Sequence, residues 1–370
     1  MAGRVRQPID TAALERYLVG HVPGFTAPLE VKQFGFGQSN PTYQLIAGDG
    51  TKYVMRKKPP GKLLSASAHQ VEREYRILAA LAPTDVPVPR VYCLCEDAEV
   101  IGTAFYVMEF LDGRIIEDAA MLAYSAKERR LMWQSAVETL AKLHRLDHRA
   151  LGLDTFGKSS GFYNRQLKTW QRTAASQEGV VDVDTGTPVG SIPHFPELLA
   201  YFAQEQPQDR AAIVHGDFKI DNLVFHRTEP RVIGVLDWEM STIGHPLSDL
   251  CALLGVYYTA DADVQWTMQN RAFRAGATQG LPAVDEALAQ YAGVVGTWDP
   301  RPDMHWAMAF SMMRGAVICQ GIAARAARRQ ASSEEAKRYA DSFVPMAEYS
   351  WTLVQPRAQE RVAVGGGPKL

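Results

Sequence analysis

Cysteine is scarce in this 370-residue chain: there are four, at positions 93, 95, 251 and 319. They are too few and too scattered for a disulfide framework, and Cys93-Leu94-Cys95 has neither zinc-finger spacing nor a second pair, so the reducing cytoplasm is the expected location. No charge sign dominates either. The 39 basic and 41 acidic residues leave a net charge of −2, which removes the electrostatic case for nucleic acid or a membrane as the main partner. No basic-then-apolar amino terminus and no apolar run of about 18 residues is visible, so neither secretion nor a membrane span is indicated. The two common nucleotide fingerprints are also missing. There is no Gly-Lys-Ser/Thr of a P-loop, and the Gly-rich stretch at 35–40 leads into a strand where a Rossmann turn would lead into a helix.

A hydrophobic content of 46% over this length is enough for a large core and two lobes. The most informative stretch is 212–249. Two β-rich runs, Leu223 to Phe225 and Val232 to Leu236, flank a turn carrying Pro230. Polar groups sit at both ends: His215, Asp217, Lys219 and Asn222 before the first run, and Asp237 after the second. If the runs pair as a hairpin, its open end brings Asn222 and Asp237 together. An amide oxygen beside a carboxylate, with Asp217 five residues upstream of Asn222, is a hard-oxygen site suited to Mg²⁺ and a phosphate chain.

Further toward the amino terminus, Asp10 caps an expected helix from Thr11 to about Gly20. Two β-like runs then bracket Gly35, Gly37, Gln38, Ser39 and Asn40. The backbone N–H groups of such a turn can cover phosphates, although a hairpin that simply needs Gly is the plainer reading. Asp49-Gly50 is a hairpin signal leading into Lys52–Arg56, where alternation puts Val54 and Arg56 on one face. A helix is expected from about Ser67 to Leu81, with Ser67 and Gln70 at capping-box spacing. Its apolar stripe is Val71, Tyr75, Leu78 and Leu81 or Ala82, and Glu74 lies on that stripe. An acid there needs a partner. Arg56 is the nearest strand cation, with Lys57 and Lys58 as fallbacks. The pair is expected either against a nucleotide phosphate or as an internal salt bridge.

Thr103–Leu111 is the last strand-like stretch before a long helical region and ends at Asp112-Gly113, which makes Glu109–Asp112 a candidate hinge. The division is therefore a β-rich lobe over 1–112, an α-rich lobe over 113–361 and a flexible tail over 362–370. A helix from about Ala126 to Leu146 carries His144 on its apolar stripe, read as a hydrogen-bonded core histidine. Residues 177–194 read as a surface loop. Met304, Met308, Met312 and Met313, among Trp306 and Phe310, read as packing, with an acyl pocket as the alternative. Arg314, Arg325, Arg328 and Arg329 read as a solvated basic face or as ligands for coenzyme A phosphates.

The order of parts, a Gly-rich hairpin, a strand cation, a helix acid, His215-Gly216-Asp217 through Asn222 and a strand-borne Asp237, resembles the protein-kinase-like fold. The match is closer to the aminoglycoside-phosphotransferase family, which has Gly after the loop His and follows its metal Asp with Trp-Glu and a Gly-x-Pro-x-x-Asp run. Here those are Gly216, Trp238, Glu239, Gly244, Pro246 and Asp249. Within that family, FGFGQSNPTY, RKKPPG, VEREYRIL and HGDFKIDNLVF look like the branch associated with acyl-CoA dehydrogenases, which includes hydroxyacyl-CoA kinases.

The resemblance implies an α+β, two-lobed fold and an ATP- and Mg²⁺-dependent phosphotransferase acting on a hydroxyl of a small molecule. The favoured acceptor is a hydroxyacyl-CoA and the implied partner an acyl-CoA dehydrogenase. An antibiotic or amino-alcohol kinase, or a catalytically inactive nucleotide-binding partner of a dehydrogenase, are the alternatives. Asp217 would take the acceptor proton, Lys219 reach the transferring phosphate, and Asn222 and Asp237 hold the metal. Arg56 stands where kinases have a lysine and Glu74 where they have its partner. Gly35–Asn40 would cover the phosphates, and Glu109, Phe110 and Leu111 would meet adenine. His215 is read as structural, and Asp249 as receiving catalytic-loop N–H groups. Only 11 residues separate Asp237 from Asp249, too few for the activation segment that docks a protein substrate.

Overall fold

The structure is a computed structural model and describes residues 2, 3, 5, 9–35, 40–59, 70–261, 270–330 and 334–365. Packing divides the chain into two compact units. One comprises Met1–Met121, Asp147–Thr155 and His215–Thr242; the other comprises Leu122–Leu146, Phe156–Val214 and Ile243–Leu370. The division at residue 112 is one of strand content along the chain, whereas packing groups the 215–242 stretch with the first unit.

The first unit holds β1 (Ala2–Gly3), α1 (Thr11–His21), β2 (Glu30–Phe34), β3 (Thr42–Ile46), β4 (Lys52–Lys57), α2 (Val71–Leu81), β5 (Val91–Cys95), α3 (Ala98–Ile101), β6 (Phe105–Glu109) and β7 (Gly113–Ile115). It also holds β9 (Leu223–His226) and β10 (Val232–Val235), whereas β8 (Ala212–Val214) lies in the other unit. Strands β1 to β6 make one sheet in the order β1-β2-β3-β4-β6-β5, and β10-β9-β7 make a second. Alternation along β4 and β6 sorts the side chains by face. Tyr53, Met55, Phe105 and Val107 pack with Leu14 and Leu18 of α1 in one core cluster. Val54, Arg56 and Met108 line a cavity. Asp10 caps α1 as expected, its Oδ1 accepting from the Ala13 N–H at 2.9 Å.

Helix α2 differs in detail from its expected form. It begins at Val71 with no side-chain hydrogen bond from Gln70 at the cap, and Ser67 lies outside the described residues. Its buried stripe is Val71, Glu74, Ile77, Leu78 and Leu81. Ile77 thus takes the place expected of Tyr75, which is half-buried and meets the Tyr106 ring edge-on at 6.4 Å.

The second unit is built from α4 (Ala126–Arg145), α5 (Phe162–Glu178), α6 (Phe195–Gln204), β8 (Ala212–Val214), β11 (Thr242–Gly244), α7 (Leu247–Tyr258), α8 (Val284–Val295), α9 (Met304–Ala327), α10 (Glu334–Ala340) and α11 (Phe343–Gly365). Helix α9 is its axis. Met304, Met308 and Met313 are buried, and Trp306 and Phe310 stack with ring centroids 5.0 Å apart, so the methionine stripe is packing. The segment Arg301–Ala327 reaches a mean hydropathy of 1.3 over an 18-residue window, apolar enough by composition to cross a membrane, yet 67% of that window is buried inside the protein. This corrects the expectation that no such run exists; such a stretch is also what a core helix requires. Helix α11 runs to Gly365, beyond the point at which the tail was expected to begin. All four cysteines are free and buried.

Candidate active site

The site is positioned by the β9–β10 hairpin. Leu223 pairs with Val235 and Val224 with Gly234, with a bulge between Val232 and Gly234. The Leu236 N–H then donates to the Asn222 carbonyl at 2.9 Å, so Asn222 and Asp237 leave the open end of the hairpin side by side in sequence register. Gly234 admits Leu111 to this hairpin: a Cβ there would lie 2.0 Å from Leu111 Cδ1.

The loop before β9 is tied down by His215, which is fully buried. Its Nε2 meets the Leu236 carbonyl at 2.8 Å and its Nδ1 accepts the Asp217 N–H at 3.2 Å. That pattern requires the neutral Nε2–H tautomer and makes His215 the structural tie expected of it. Gly216 has φ +89°, and a Cβ at this position would sit 2.7 Å from the Met240 carbonyl oxygen, so only glycine fits without displacement. The Asn222 amide nitrogen donates to the Asp217 carbonyl at 2.8 Å and to its Oδ2 at 3.0 Å. The nitrogen being spent, the oxygen of Asn222 is the end left for a ligand. Lys219 Nζ lies 3.4 Å from both Asp217 Oδ2 and Asp221 Oδ2. Burial works against its charge, but the two carboxylates outweigh it and raise its pKa. Asp237 is left-handed at φ 67° and ψ 60°, a conformation few non-glycine residues adopt and one that concentrates at functional sites.

Arg56 joins these loops to the sheet. Its Nη1 lies 2.9 Å from Glu74 Oε2 and 3.1 Å from Asp237 Oδ1, and its Nη2 lies 3.6 Å from Glu239 Oε2. The expected Arg56–Glu74 pair is therefore present, with two further acids around the same guanidinium. Glu74 also accepts from the Asn40 amide at 2.7 Å and the Tyr106 hydroxyl at 3.0 Å. Burial pushes the Glu74 carboxyl up to about 7, against the pull of the Arg56 charge. Burial disfavours the Arg56 charge too, but Glu74, Tyr106 and Asp237 hold its pKa above the usual arginine value. The fallback cations are placed elsewhere. Lys58 is ion-paired with Glu72, and Lys57 is buried at a β4 position that alternates with Arg56, its pKa lowered by burial.

One cavity of about 420 Å³ gathers Arg56, Asn222 and Asp237, while Asp217, Lys219 and Glu74 are not in its lining. Phe34, Val54, Met108, Leu111, Val224 and Leu236 make it apolar at one side; Arg56, Asp221, Asn222, Asp237 and Glu239 make it polar at the other. Glu109 and Phe110 also line it. The Glu109 N–H is taken by the Arg90 carbonyl at 2.8 Å, and its carboxylate accepts from the Arg90 N–H at 3.1 Å. Gly35 directly follows β2, while Gly37, Gln38 and Ser39 lie outside the described residues.

The residues present suit a magnesium nucleotide. The Nε–H of Arg56 is buried without a hydrogen-bond partner, a donor left over for an oxygen. Three carboxylates surround one guanidinium, an excess of negative charge that a divalent cation offsets. Among the described residues no three His, Cys, Asp or Glu converge on a metal position, so a cation here would be held by an Asn–Asp pair with water and phosphate oxygens completing its shell, as Mg²⁺ prefers.

Sequence reasoning did not pick out Tyr106 or Glu239. Tyr106 alternates with Val107 in the TAFYVMEFL run and so shares a face with Met108, which lines the cavity, and Glu239 stands in the sequence only as part of the Asp237-Trp238-Glu239 motif. In the second unit Asp249 is fully buried with His144, whose Nε2 lies 3.2 Å from Asp249 Oδ2 and whose Nδ1 meets the Tyr291 hydroxyl at 2.7 Å. His144 is thus a hydrogen-bonded core histidine, and Asp249 has a partner not anticipated for it.

Residues 30–301 match the phosphotransferase enzyme family, APH. The chain is 39% identical over 351 residues to acyl-CoA dehydrogenase family member 11 of Gallus gallus, covering 93% of this chain and 43% of that protein. It is 38% identical to a probable acyl-CoA dehydrogenase of Arabidopsis thaliana, covering 89% and 40%. The chain therefore spans less than half the length of the curated relatives it matches. Among solved structures, a Ralstonia eutropha protein named among the aminoglycoside phosphotransferases superposes with a TM-score of 0.80 at 39% identity, covering 94% of this chain and 98% of that one. ADP-bound aminoglycoside phosphotransferase APH(2'')-Ib superposes at 0.57 with 14% identity over 92% and 99%, a likeness of fold.

Proposed function

The chain belongs to the phosphotransferase enzyme family, its fold is that of the kinase-like aminoglycoside phosphotransferases, and on that footing we propose that it moves the terminal phosphoryl group of ATP to a hydroxyl of a small molecule, with a hydroxyacyl-CoA as the favoured acceptor. The observation that carries this reading is the single cavity lined at once by the strand cation Arg56, the hinge residues Glu109–Leu111 and the loop pair Asn222 and Asp237.

Phosphoryl transfer depends on positioning and charge neutralisation more than on covalent chemistry. Asp217 orients the acceptor hydroxyl and takes its proton, its Oδ2 held in place by the Asn222 amide. Asn222, through its oxygen, and Asp237 hold Mg²⁺, which when bound neutralises phosphate charge. Arg56 offers the phosphates a planar fork kept in register by Glu74, itself fixed by Asn40 and Tyr106. Lys219 adds positive charge beside the transfer path. Backbone around Gly35–Asn40 covers the phosphates, and the Glu109–Leu111 edge receives the base between Val54, Met108 and Leu236.

The acyl-CoA acceptor, and an acyl-CoA dehydrogenase as partner, draw support from the names of the relatives at 38–39% identity and from the short Asp237–Asp249 interval, which disfavours a protein acceptor. The intact Asp217, Asn222 and Asp237 argue against an inactive nucleotide-binding role. The test is to incubate the protein with Mg-ATP and hydroxyacyl-CoAs, free hydroxy acids and aminoglycosides, and to follow each by mass. A gain of one phosphate on the hydroxyacyl-CoAs is expected; a gain confined to aminoglycosides would overturn the acceptor, and none on any hydroxyl would overturn the activity.

A further inference from the structure

A second cavity lies wholly within the helical unit, between α5, α7 and α9. Trp170 and Phe310 give it aromatic walls, with ring centroids 4.6 Å apart. Arg314, Gln166 and Ser311 bring polar groups to it. Its open space of about 30 Å³ holds two or three water-sized bodies, which suits the end group of a molecule rather than the whole of one.

Arg314 is half-buried, and among the described residues no carboxylate stands within ion-pair distance of it, in contrast to Arg329, which pairs with Asp184. Asp249, on the same helix as the cavity-lining Cys251, is engaged by His144. Arg314 and Cys251 line the cavity together, and the Arg314 charge pulls against the burial that raises the Cys251 thiol. Gln166 and Ser311 have no hydrogen bonds from their side chains to other described residues. A guanidinium carries five donors and is costly to bury in part without an acceptor. Arg325 near the end of the same helix and Arg328 just past it are exposed.

We infer that this cavity is a binding site for the anionic end, a carboxylate or a phosphate, of a small molecule, gripped by the Arg314 fork with Gln166 and Ser311 as further donors and with Trp170 and Phe310 against its apolar part. The anion site stands on the geometry of the helical unit and does not depend on the phosphotransferase reading.

The experiment uses the full chain, with thermal unfolding and calorimetric titration of 3-hydroxybutyrate, inorganic phosphate and the uncharged 3-hydroxybutanamide, in wild type, Arg314→Gln, Arg314→Lys and Ser311→Ala. At least one of the two anions is expected to bind and to stabilise wild type, with the amide inert; the anion that binds identifies carboxylate or phosphate as the source. Arg314→Gln should lose at least tenfold in affinity, and Arg314→Lys less. If Arg314→Gln does not fold, the Lys and Ser311→Ala variants carry the test. No anion effect beyond a sodium chloride control, or equal binding by all folded variants, overturns the site. Titrating Mg-ATP into the same samples separates the two readings: ATP binding without an anion response removes only the second cavity, and the reverse removes only the nucleotide site.

Discussion

The Nη1 of Arg56 lies 3.1 Å from Asp237 Oδ1, so a mid-strand cation touches the acid that leaves the β9–β10 hairpin. The same nitrogen is 2.9 Å from Glu74, and the strand, the helix and the loop are held at one point. Removing the guanidinium strands a carboxylate that is 1% exposed. Arg56→Ala is expected to cost about 3–5 kcal/mol of stability, as for other broken buried pairs. Arg56→Lys should recover part of that while weakening ATP binding, because an ammonium cannot offer two parallel N–H groups. Urea unfolding and ATP titration check both; a Lys variant equal to wild type in both would show the fork to be dispensable.

Asp237→Asn retains the shape of the site and removes one negative charge. The expected result is ATP binding that no longer strengthens on addition of Mg²⁺, with a loss of at least tenfold relative to wild type when both are present. Calorimetry with and without the cation reads this directly. An unchanged magnesium dependence would move the metal away from the Asn222–Asp237 pair.

Gly216→Ala tests the close approach of the loop to Met240. The added Cβ meets backbone at 2.7 Å in a residue with φ +89°, so destabilisation of about 1–3 kcal/mol is expected from the strained conformation, together with loss of activity as Asp217 is displaced. A variant that keeps wild-type stability and turnover would show that the loop has room to move.

Two buried groups set opposite pH trends. Burial lowers His245 from 6.5 to about 4, so the stability it contributes is present above pH 6.5 and is lost as pH falls through about 4, a swing of order 3 kcal/mol. Glu74, raised from 4.5 to about 7, does the reverse: its contribution is present below pH 4.5 and is lost as pH rises through about 7. His245→Gln should therefore lose less stability than wild type on acidification from pH 6.5 to 4, and Glu74→Gln less on going from pH 5 to 7.5. Parallel pH curves for wild type and either variant would contradict the assignment.

Much of this site is legible in the sequence because its parts follow local rules. The Asp10 cap, the position of Glu74 on the α2 stripe, the alternation that puts Arg56 with Val54, and the hairpin that aligns Asn222 with Asp237 each depend on spacing within one or two elements. What spacing does not reveal is long-range pairing. Tyr106 and Asn40 complete the shell of Glu74 only because β3, β4 and β6 pair in that register. One partner of Asp249, His144, lies 105 residues away on α4. Ile77 displaces Tyr75 from the buried stripe because a half-wet tyrosine can turn its ring edge to Tyr106 while an isoleucine cannot pay for exposure. The hydropathy of α9 is masked in the sequence by His305 and Arg314, which interrupt its apolar run.

Asp217 is the proposed base of a phosphoryl transfer from ATP to a small hydroxyl. Asp217 is 42% exposed, so its substitution should leave the fold intact. The measurement is the rate of phosphate transfer to the hydroxyacyl-CoA under saturating Mg-ATP by wild type and Asp217→Ala, with folding confirmed by circular dichroism. A fall of about 10²–10⁴ is expected for a general base with ATP affinity unchanged; transfer at the wild-type rate by the folded variant would contradict the account.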